Sequence, residues 1–262
     1  MFEGQSVAVT GANGGIGRAI AEMFIAQGAK VAISDVKCPD KTADEIGAIA
    51  FACDVSKEKQ VVDFIDFSNA ANGPIDVFVS NAGVGYGDGP HVGGASNDAW
   101  ELSWQVNVMS SVYAARVLLP GWIERGKGRF VITASAAGLL NQIGSASYSA
   151  TKHAAVGYAE NMAIMHKADG VSVHCICPQY VKTNMTKGFH MAENSRDGLL
   201  LPSDVANALK AACETDEFLV LSHPVVGEYF KHKGMSYQQY IEGMAKLKSK
   251  VGGETMPTKE SL

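Results

Sequence analysis

Residues 6–17 read SVAVTGANGGIG, and how this stretch is read decides the fold. Its first part, Ser6–Thr10, is apolar and rich in valine, the composition of a strand. Glycines follow at positions 11, 14, 15 and 17. From Gly15 the apolar residues recur at helical spacing to about residue 27. A strand, a glycine turn and a helix in that order form a phosphate cradle. The glycines let the backbone turn tightly and approach a pyrophosphate, while the helix N-terminus offers N–H groups and a partial positive charge. The spacing Gly11-x3-Gly15-x-Gly17 departs from GxGxxG, so its place between strand and helix carries the weight.

The alternation continues along the chain. Further apolar, strand-like runs fall at about 30–34, 48–53, 75–80, 129–134, 171–177 and 217–221. Helices are expected at about 15–27, 56–72, 97–125, 147–169 and 203–215. Several strands are apolar almost throughout, as strands covered on both faces are. The fold class is therefore α/β: a doubly wound parallel sheet of about seven strands, with helices on both faces and right-handed connections. No repeat or linker divides the 262 residues, so 1–262 reads as one domain. Two long loops begin where strands end: the glycine-rich 83–94, and 178–201, expected to bind substrate. Residues 224–262 read as a polar, helical C-terminal tail.

Apolar residues make up 47% and charged residues 19%, with a net charge of −5. That is a globular composition, and no basic run points to nucleic acid or an anionic membrane. No apolar stretch is long enough to span a bilayer. Met1 to Gln5 lead straight into Val7-Ala8-Val9, which reads as a strand and not as a secretion signal. The five cysteines, Cys38, Cys53, Cys175, Cys177 and Cys213, are odd in number and form no CxxC pair. This suits buried thiols in a reducing compartment, and a cytoplasmic location is expected. Cys175 and Cys177 share a sheet face that His174 does not, so no metal site is expected. The GxxxxGK outline of residues 121–128 ends in Gly128 and runs from helix to strand, so it is a turn and not a nucleotide loop.

Asp35 ends the second strand, where a carboxylate can accept hydrogen bonds from an adenosine ribose and repel a 2′-phosphate. NAD is thus expected over NADP, with Arg18 and Lys37 the nearby cations that soften the preference. Further along, "SYSATK" (147–152) sets Tyr148 and Lys152 one helical turn apart on one face. Ser135 ends the fifth strand, thirteen residues before Tyr148.

Together, TGxxxGxG (Thr10–Gly17), Asp54-Val55, Asn81-Ala82-Gly83, Asn107 within "WQVNV", Ser135 and the YxxxK pair resemble the short-chain dehydrogenase/reductase family. The motifs stand in the family's order over residues 4–190. The resemblance implies a Rossmann fold that transfers hydride between a nicotinamide cofactor and a secondary alcohol or ketone. It implies Tyr148 as general acid/base, Lys152 lowering the phenol's pKa and holding the nicotinamide ribose, Ser135 positioning the substrate oxygen, and Asn107 anchoring a water in a proton relay. Gly11, Asn13, Gly15, Ile16, Gly17, Asp35, Asp54, Val55, Asn81, Ala82, Gly83, Pro178 and Thr183, with Tyr148 and Lys152, would bind the cofactor. Of these, Asn107 also reads as a locally satisfied helix asparagine, Asp54 as a helix-start residue and Thr183 as a plain loop residue.

There are departures. Ser80 replaces the first Asn of NNAG, and Gln179 the glycine of the family's Pro-Gly pair beside the nicotinamide. The tail replaces a strand that often joins subunits, so the implied homodimer or homotetramer rests on the two long helices.

The substrate pocket is expected from Val84, Tyr86, Leu139, Leu140, Ile143, Tyr180, Met185, Phe189 and Met191. That set is bulky and apolar, which favours a hydrophobic or aromatic alcohol. Asn141 and Gln142 keep a polar diol or sugar alcohol open. A cofactor-free elimination enzyme of the halohydrin dehalogenase type would have lost Lys152 and the glycine loop. A non-catalytic dinucleotide sensor would not need Ser135, Tyr148 and Lys152 together.

Overall fold

The computed structural model describes residues 1–187, 195 and 197–251. Of the expected pocket residues, Phe189 and Met191 lie outside them. Strands β1 (Ser6–Thr10), β2 (Lys30–Asp35), β3 (Ile49–Ala52), β4 (Val77–Ser80), β5 (Gly128–Thr133), β6 (Val171–Ile176) and β7 (Leu219–Val220) form a single sheet. Every pairing is parallel and the order is β3-β2-β1-β4-β5-β6-β7. The chain winds outward from β1 through β3, then crosses back and winds the other way from β4. The carboxyl ends of β1 and β4 therefore open a crevice at the point of reversal, where sheets of this kind bind ligands.

Period-two alternation divides the core into two layers. Val7, Val9, Val77, Val79 and Val131 face α1 (Gly15–Ala26) and α7 (Pro202–Thr215), packing with Ile20, Phe24 and Leu209. Ala8, Phe78, Phe130 and Ile132 face the other way, into a layer with Phe64, Ile65, Tyr113 and Trp122. These come from α3 (Glu58–Asn72) and α5 (Ser110–Arg125). The Trp122 indole is buried and donates to the Ile75 carbonyl at 2.8 Å. A Cβ on Gly128 would stand 2.2 Å from the same ring. Gly128→Ala is thus expected to destabilise by ~1–3 kcal/mol through overpacking. Urea unfolding with a lower midpoint and an unchanged slope would show it.

Three expectations are corrected. The helix expected over 97–125 is broken into α4 (Asn97–Trp104), a π-turn (Gln105–Met109) and α5. A π-turn adds one residue per turn without interrupting the apolar pattern, so periodicity does not reveal it. A helix, α2 (Asp40–Ile46), occurs where none was expected, burying only Thr42 and Ala43 and so presenting no apolar stripe. The last strand is two residues, not five. The tail forms α8 (Val225–Met235) and α9 (Tyr237–Val251). Residues 121–128 run from the end of α5 into β5, the order of a turn. No helix among the described residues is long and apolar enough to cross a membrane.

Candidate active site

The glycine loop is packed against β4's end at near-contact distance. A Cβ on Gly11, whose φ is +63°, would lie 2.7 Å from Ala82 Cα. One on Gly17 would lie 2.4 Å from the Gly11 carbonyl oxygen and 2.5 Å from Asn81 Nδ2. Asn81 Nδ2 donates to the Thr10 and Gly11 carbonyls, both at 3.0 Å, and the Thr10 hydroxyl accepts from Asn81 N and Ala82 N. Asn81 and Thr10 thus stitch the two strand ends that form the crevice. Helix α1 has Gly14 at its N-cap, no side-chain cap and no acidic residue in its first turn. Its leading N–H groups, including those of Ile16 and Gly17, are left for an anion.

Asp35 accepts from Asn13 N at 3.1 Å and Val36 N at 2.9 Å. Arg18 is committed elsewhere, to Glu22 at 2.9 Å and Glu45 at 2.8 Å. Lys37 is exposed. One Asp54 oxygen accepts from Ser56 N at 3.0 Å, so this carboxylate shapes the approach to α3; Val55 beside it is buried.

Helix α6 (Ala146–His166) carries Tyr148 and Lys152, both buried. Lys152 Nζ donates to the Thr133 carbonyl at 2.9 Å, and its ammonium lies 5.6 Å from the Tyr148 ring centroid. A Cβ on Gly83 would meet Lys152 Nζ at 3.3 Å and Asn107 Oδ1 at 3.4 Å. A Cβ on Gly138 would press on the Lys152 carbonyl oxygen at 2.5 Å. The ends of β4 and β5 therefore converge on one lysine. Ser135 accepts from Ala137 N at 3.1 Å, and the Pro178 carbonyl takes bonds from Ala136 N and the Ser135 hydroxyl. Thr183 lies against the glycine loop, with Cγ2 3.1 Å from where a Gly15 Cβ would stand.

Burial moves both members of the pair towards their neutral forms. It pushes the Tyr148 phenol up, with the Ser135 hydroxyl pulling the other way. It pulls Lys152 down to about 8. The resemblance implies that Lys152 and the positive nicotinamide of the oxidised cofactor draw the phenol down; in the chain by itself burial is the larger influence and the phenol lies above its ordinary range.

The side chain of Asn107 is fully engaged. It accepts from Val84 N and donates to Val84 O and Thr151 Oγ1, each at 2.9 Å. It sits in the π-turn and fixes the strand-end loop against α6.

The expected pocket is partly redistributed. Tyr86 and Leu139 are buried, and the Tyr86 carbonyl accepts from the Ser145 hydroxyl. Val84 and Leu140 pack on the core, Tyr180 is half-buried and Met185 is exposed. Ile143 lines an open cavity of about 720 Å³ with Asn141, Gln142, Asp88, Trp100 and His153. Sequence reading missed Asp88, whose carboxylate caps α6 through Ala146 N at 2.9 Å from 58 residues away, and Thr151, which supports Asn107. Neither lies at a local sequence offset that signals its role. Cys175 and Cys177 stand with their sulfurs 3.9 Å apart, while His174 bonds the Glu217 carbonyl. Among the described residues no cluster of His, Cys, Asp or Glu could hold a metal ion.

A glycine turn leading into an uncapped helix N-terminus, with Ser135, Tyr148 and Lys152 buried together, is the arrangement of one protein class. The chain belongs to the short chain dehydrogenase family, whose model matches residues 5–194. It is 36% identical to meso-2,3-butanediol dehydrogenase of Serratia marcescens, over 72% of this chain and 76% of that one. It is 28% identical to oxidoreductase UcpA of Salmonella typhimurium over 99% and 97% of the two chains. A short chain dehydrogenase/reductase from Burkholderia phymatum, crystallised in complex with NAD, superposes with a TM-score of 0.80 at 27% identity, covering 90% of this chain and 96% of its own.

Proposed function

We propose that this chain is a dehydrogenase that uses NAD(H) to interconvert a bulky, apolar secondary alcohol and its ketone. The observation that carries the reading is the buried Ser135–Tyr148–Lys152 group beside an uncapped helix N-terminus. The residues fit a dinucleotide. Gly11, Gly15 and Gly17 leave room for backbone approach, α1 offers free N–H groups, and Gly83 clears the space beside Lys152 Nζ. Asn13, Asp35, Asp54, Val55, Asn81, Ala82, Pro178 and Thr183 complete the proposed cofactor-binding set. When bound, the nicotinamide supplies or accepts the hydride, and the protein aims and protonates.

Tyr148 holds the proton destined for, or taken from, the substrate oxygen. Ser135, exchanging its long 3.4 Å bond to the Pro178 carbonyl, donates to that oxygen and fixes it within reach of the phenol. Lys152 holds the nicotinamide ribose and, with a pKa of about 8, can pass a proton on at neutral pH. Asn107 keeps the loop at Gly83–Val84 in place. Because burial raises the Tyr148 phenol, alcohol oxidation should rise towards alkaline pH, where the phenol ionises, and ketone reduction should fall there.

NAD is preferred because Asp35 stands at the ribose position and Arg18, tied to Glu22 and Glu45, is not available to meet a 2′-phosphate. Asp35→Ala should narrow the NAD:NADP preference by ~10-fold or more in kcat/KM, since one like-charge contact near an anion is worth ~1–2 kcal/mol. An unchanged ratio would remove Asp35 from cofactor selection.

A polar diol is the second reading. Exposed Asn141 and half-buried Gln142 at the cavity favour it, and so does the likeness to a butanediol dehydrogenase. The deciding assay follows nicotinamide absorbance with aryl, alkyl and vicinal-diol substrates, offering NAD and NADP in parallel. Turnover of bulky alcohols with NAD upholds the proposal. Turnover confined to diols replaces the substrate class. Cofactor binding without turnover of any of them leaves the sensor reading. The chain would act as one catalytic domain, in a homo-oligomer pairing through α5 and α6.

A further inference from the structure

Two of the places where this sequence departs from its family meet in space. Gln179 stands where a glycine is usual, and α8 belongs to the divergent tail. Gln179 Nε2 donates to Asp197 Oδ2 at 3.2 Å, and Tyr229 of α8 donates its hydroxyl to Asp197 Oδ1 at 3.0 Å. His223, just before α8, accepts from Gln179 N and bonds the Gly198 carbonyl, both at 3.4 Å. The start and end of the 178–201 loop are thereby tied to the tail.

One turn further along the same helix face is Lys233, only 6% exposed. Its ammonium donates to the Leu139 carbonyl at 2.7 Å and the Leu140 carbonyl at 3.3 Å. It also lies 3.3 Å from His153 Nε2. His153 Nδ1 is 2.8 Å from the Ser149 carbonyl, which can only accept, so Nδ1 carries the proton and Nε2 accepts from Lys233. The rings of Tyr237 and Tyr240 cover the ammonium at 5.3 and 5.4 Å. Among the described residues no carboxylate forms a salt bridge with it. A buried ammonium is costly unless its bonds are satisfied, and here the satisfaction comes largely from two consecutive loop carbonyls. Leu139 and Leu140 lie between Ser135 and Tyr148, in the segment that leads from the fifth strand to the catalytic helix.

We propose that Lys233 and Tyr229 are positioning residues that tie the tail helix α8 to the two loops flanking the proposed substrate site. Lys233 fixes the 139–145 segment, which lines the cavity, and Tyr229, through Asp197, fixes Gln179 at the start of the second loop. Neither touches the reacting atoms. The inference rests on the dehydrogenase reading for its kinetic consequence, and on the hydrogen bonds alone for its structural one.

The test uses the full chain with Lys233→Met, Lys233→Arg and Tyr229→Phe. Hydrogen–deuterium exchange of the peptide covering 139–145 should quicken by ~10-fold in Lys233→Met and return towards wild type in Lys233→Arg. KM for benzhydrol, a bulky secondary alcohol, should change by ~10-fold in Lys233→Met, while KM for NAD and kcat for isopropanol stay near wild type. Tyr229→Phe, which loses one hydroxyl and threatens folding least, should give the same split for benzhydrol without altering exchange at 139–145. Unchanged exchange at 139–145 in Lys233→Met overturns the bracing role. Equal shifts for both alcohols overturn the selective role. If the wild type turns over no alcohol, the dehydrogenase reading has failed, and the exchange result alone then upholds or overturns the brace.

Discussion

Tyr148→Phe is expected to lower kcat/KM by about a thousandfold, within the ~10²–10⁴ that a positioned acid/base contributes. The change removes one oxygen and leaves the ring, which is buried in α6. Ser135 keeps its bonds to Ala137 N and the Pro178 carbonyl, so its hydroxyl stays anchored. Lys152 keeps the Thr133 carbonyl. The thermal midpoint and the affinity for NADH should therefore stay close to wild type, and the loss should fall on kcat and kcat/KM together. Turnover retained in this variant would take the phenol out of proton transfer. Binding of NADH with no turnover in wild type or variant would point to the sensor reading.

Lys152→Met is expected to separate activity from stability. Turnover should fall by ~10²-fold or more, because both the ribose contact and the proton-passing group are lost. Stability should hold or rise at neutral pH. Lys152 is pulled from 10.5 to about 8 by burial. Between those values the unfolded chain binds a proton that the folded chain does not, so stability rises with pH across that window. Below it both states are protonated and the folded chain bears the full cost of the buried ammonium. At ~1.4 kcal/mol per pKa unit this is on the order of 3 kcal/mol, offset in part by the Thr133 bond that methionine cannot make. The thermal midpoint of the variant should match or exceed wild type at about pH 7, with the advantage shrinking towards about pH 10. A variant clearly less stable at neutral pH would show that the ammonium is better satisfied than its single carbonyl partner indicates.

Two of the departures from family pattern mark where new behaviour is to be sought. Gln179 and the tail looked unrelated in sequence, and the bond from Gln179 through Asp197 to Tyr229 joins them. A substitution beside the cofactor path and a replaced C-terminus form one feature of the molecule.

Much was legible in the sequence because the signals are local. Strand β1, the glycine turn and the start of α1 lie within twelve residues, and Gly11, Gly15 and Gly17 each answer to a close approach or a positive φ that Cβ would forbid. Tyr148 and Lys152 share a helix face through their spacing alone. Apolar runs covered on both faces showed a parallel sheet, and helix–strand alternation showed how it is wound. Ser135, Tyr148 and Lys152 could be named by number because their order and spacing resemble the family's pattern.

Other properties depend on contacts between distant positions. The π-turn at Asn107 leaves hydrophobic periodicity intact, so a single helix was the natural reading. The carboxylate that caps α6 is Asp88, 58 residues away, and the commitment of Arg18 needs Glu45 on a separate helix. Tyr86 and Leu139 are bulky and apolar, which suits a pocket or a core equally; only packing assigns them to the interior. The direction in which Tyr148 and Lys152 shift depends on how much water burial removes, and composition cannot state that. The sequence by itself determined the fold class and the family, because hydrophobic periodicity, the order of strand, glycine turn and helix, and the spacing of the family's motifs are all local features. Tertiary structure alone decided which groups are desolvated, which cations are already paired and which loops the tail is bonded to, because burial and long-range hydrogen bonds exist only once the chain has closed on itself.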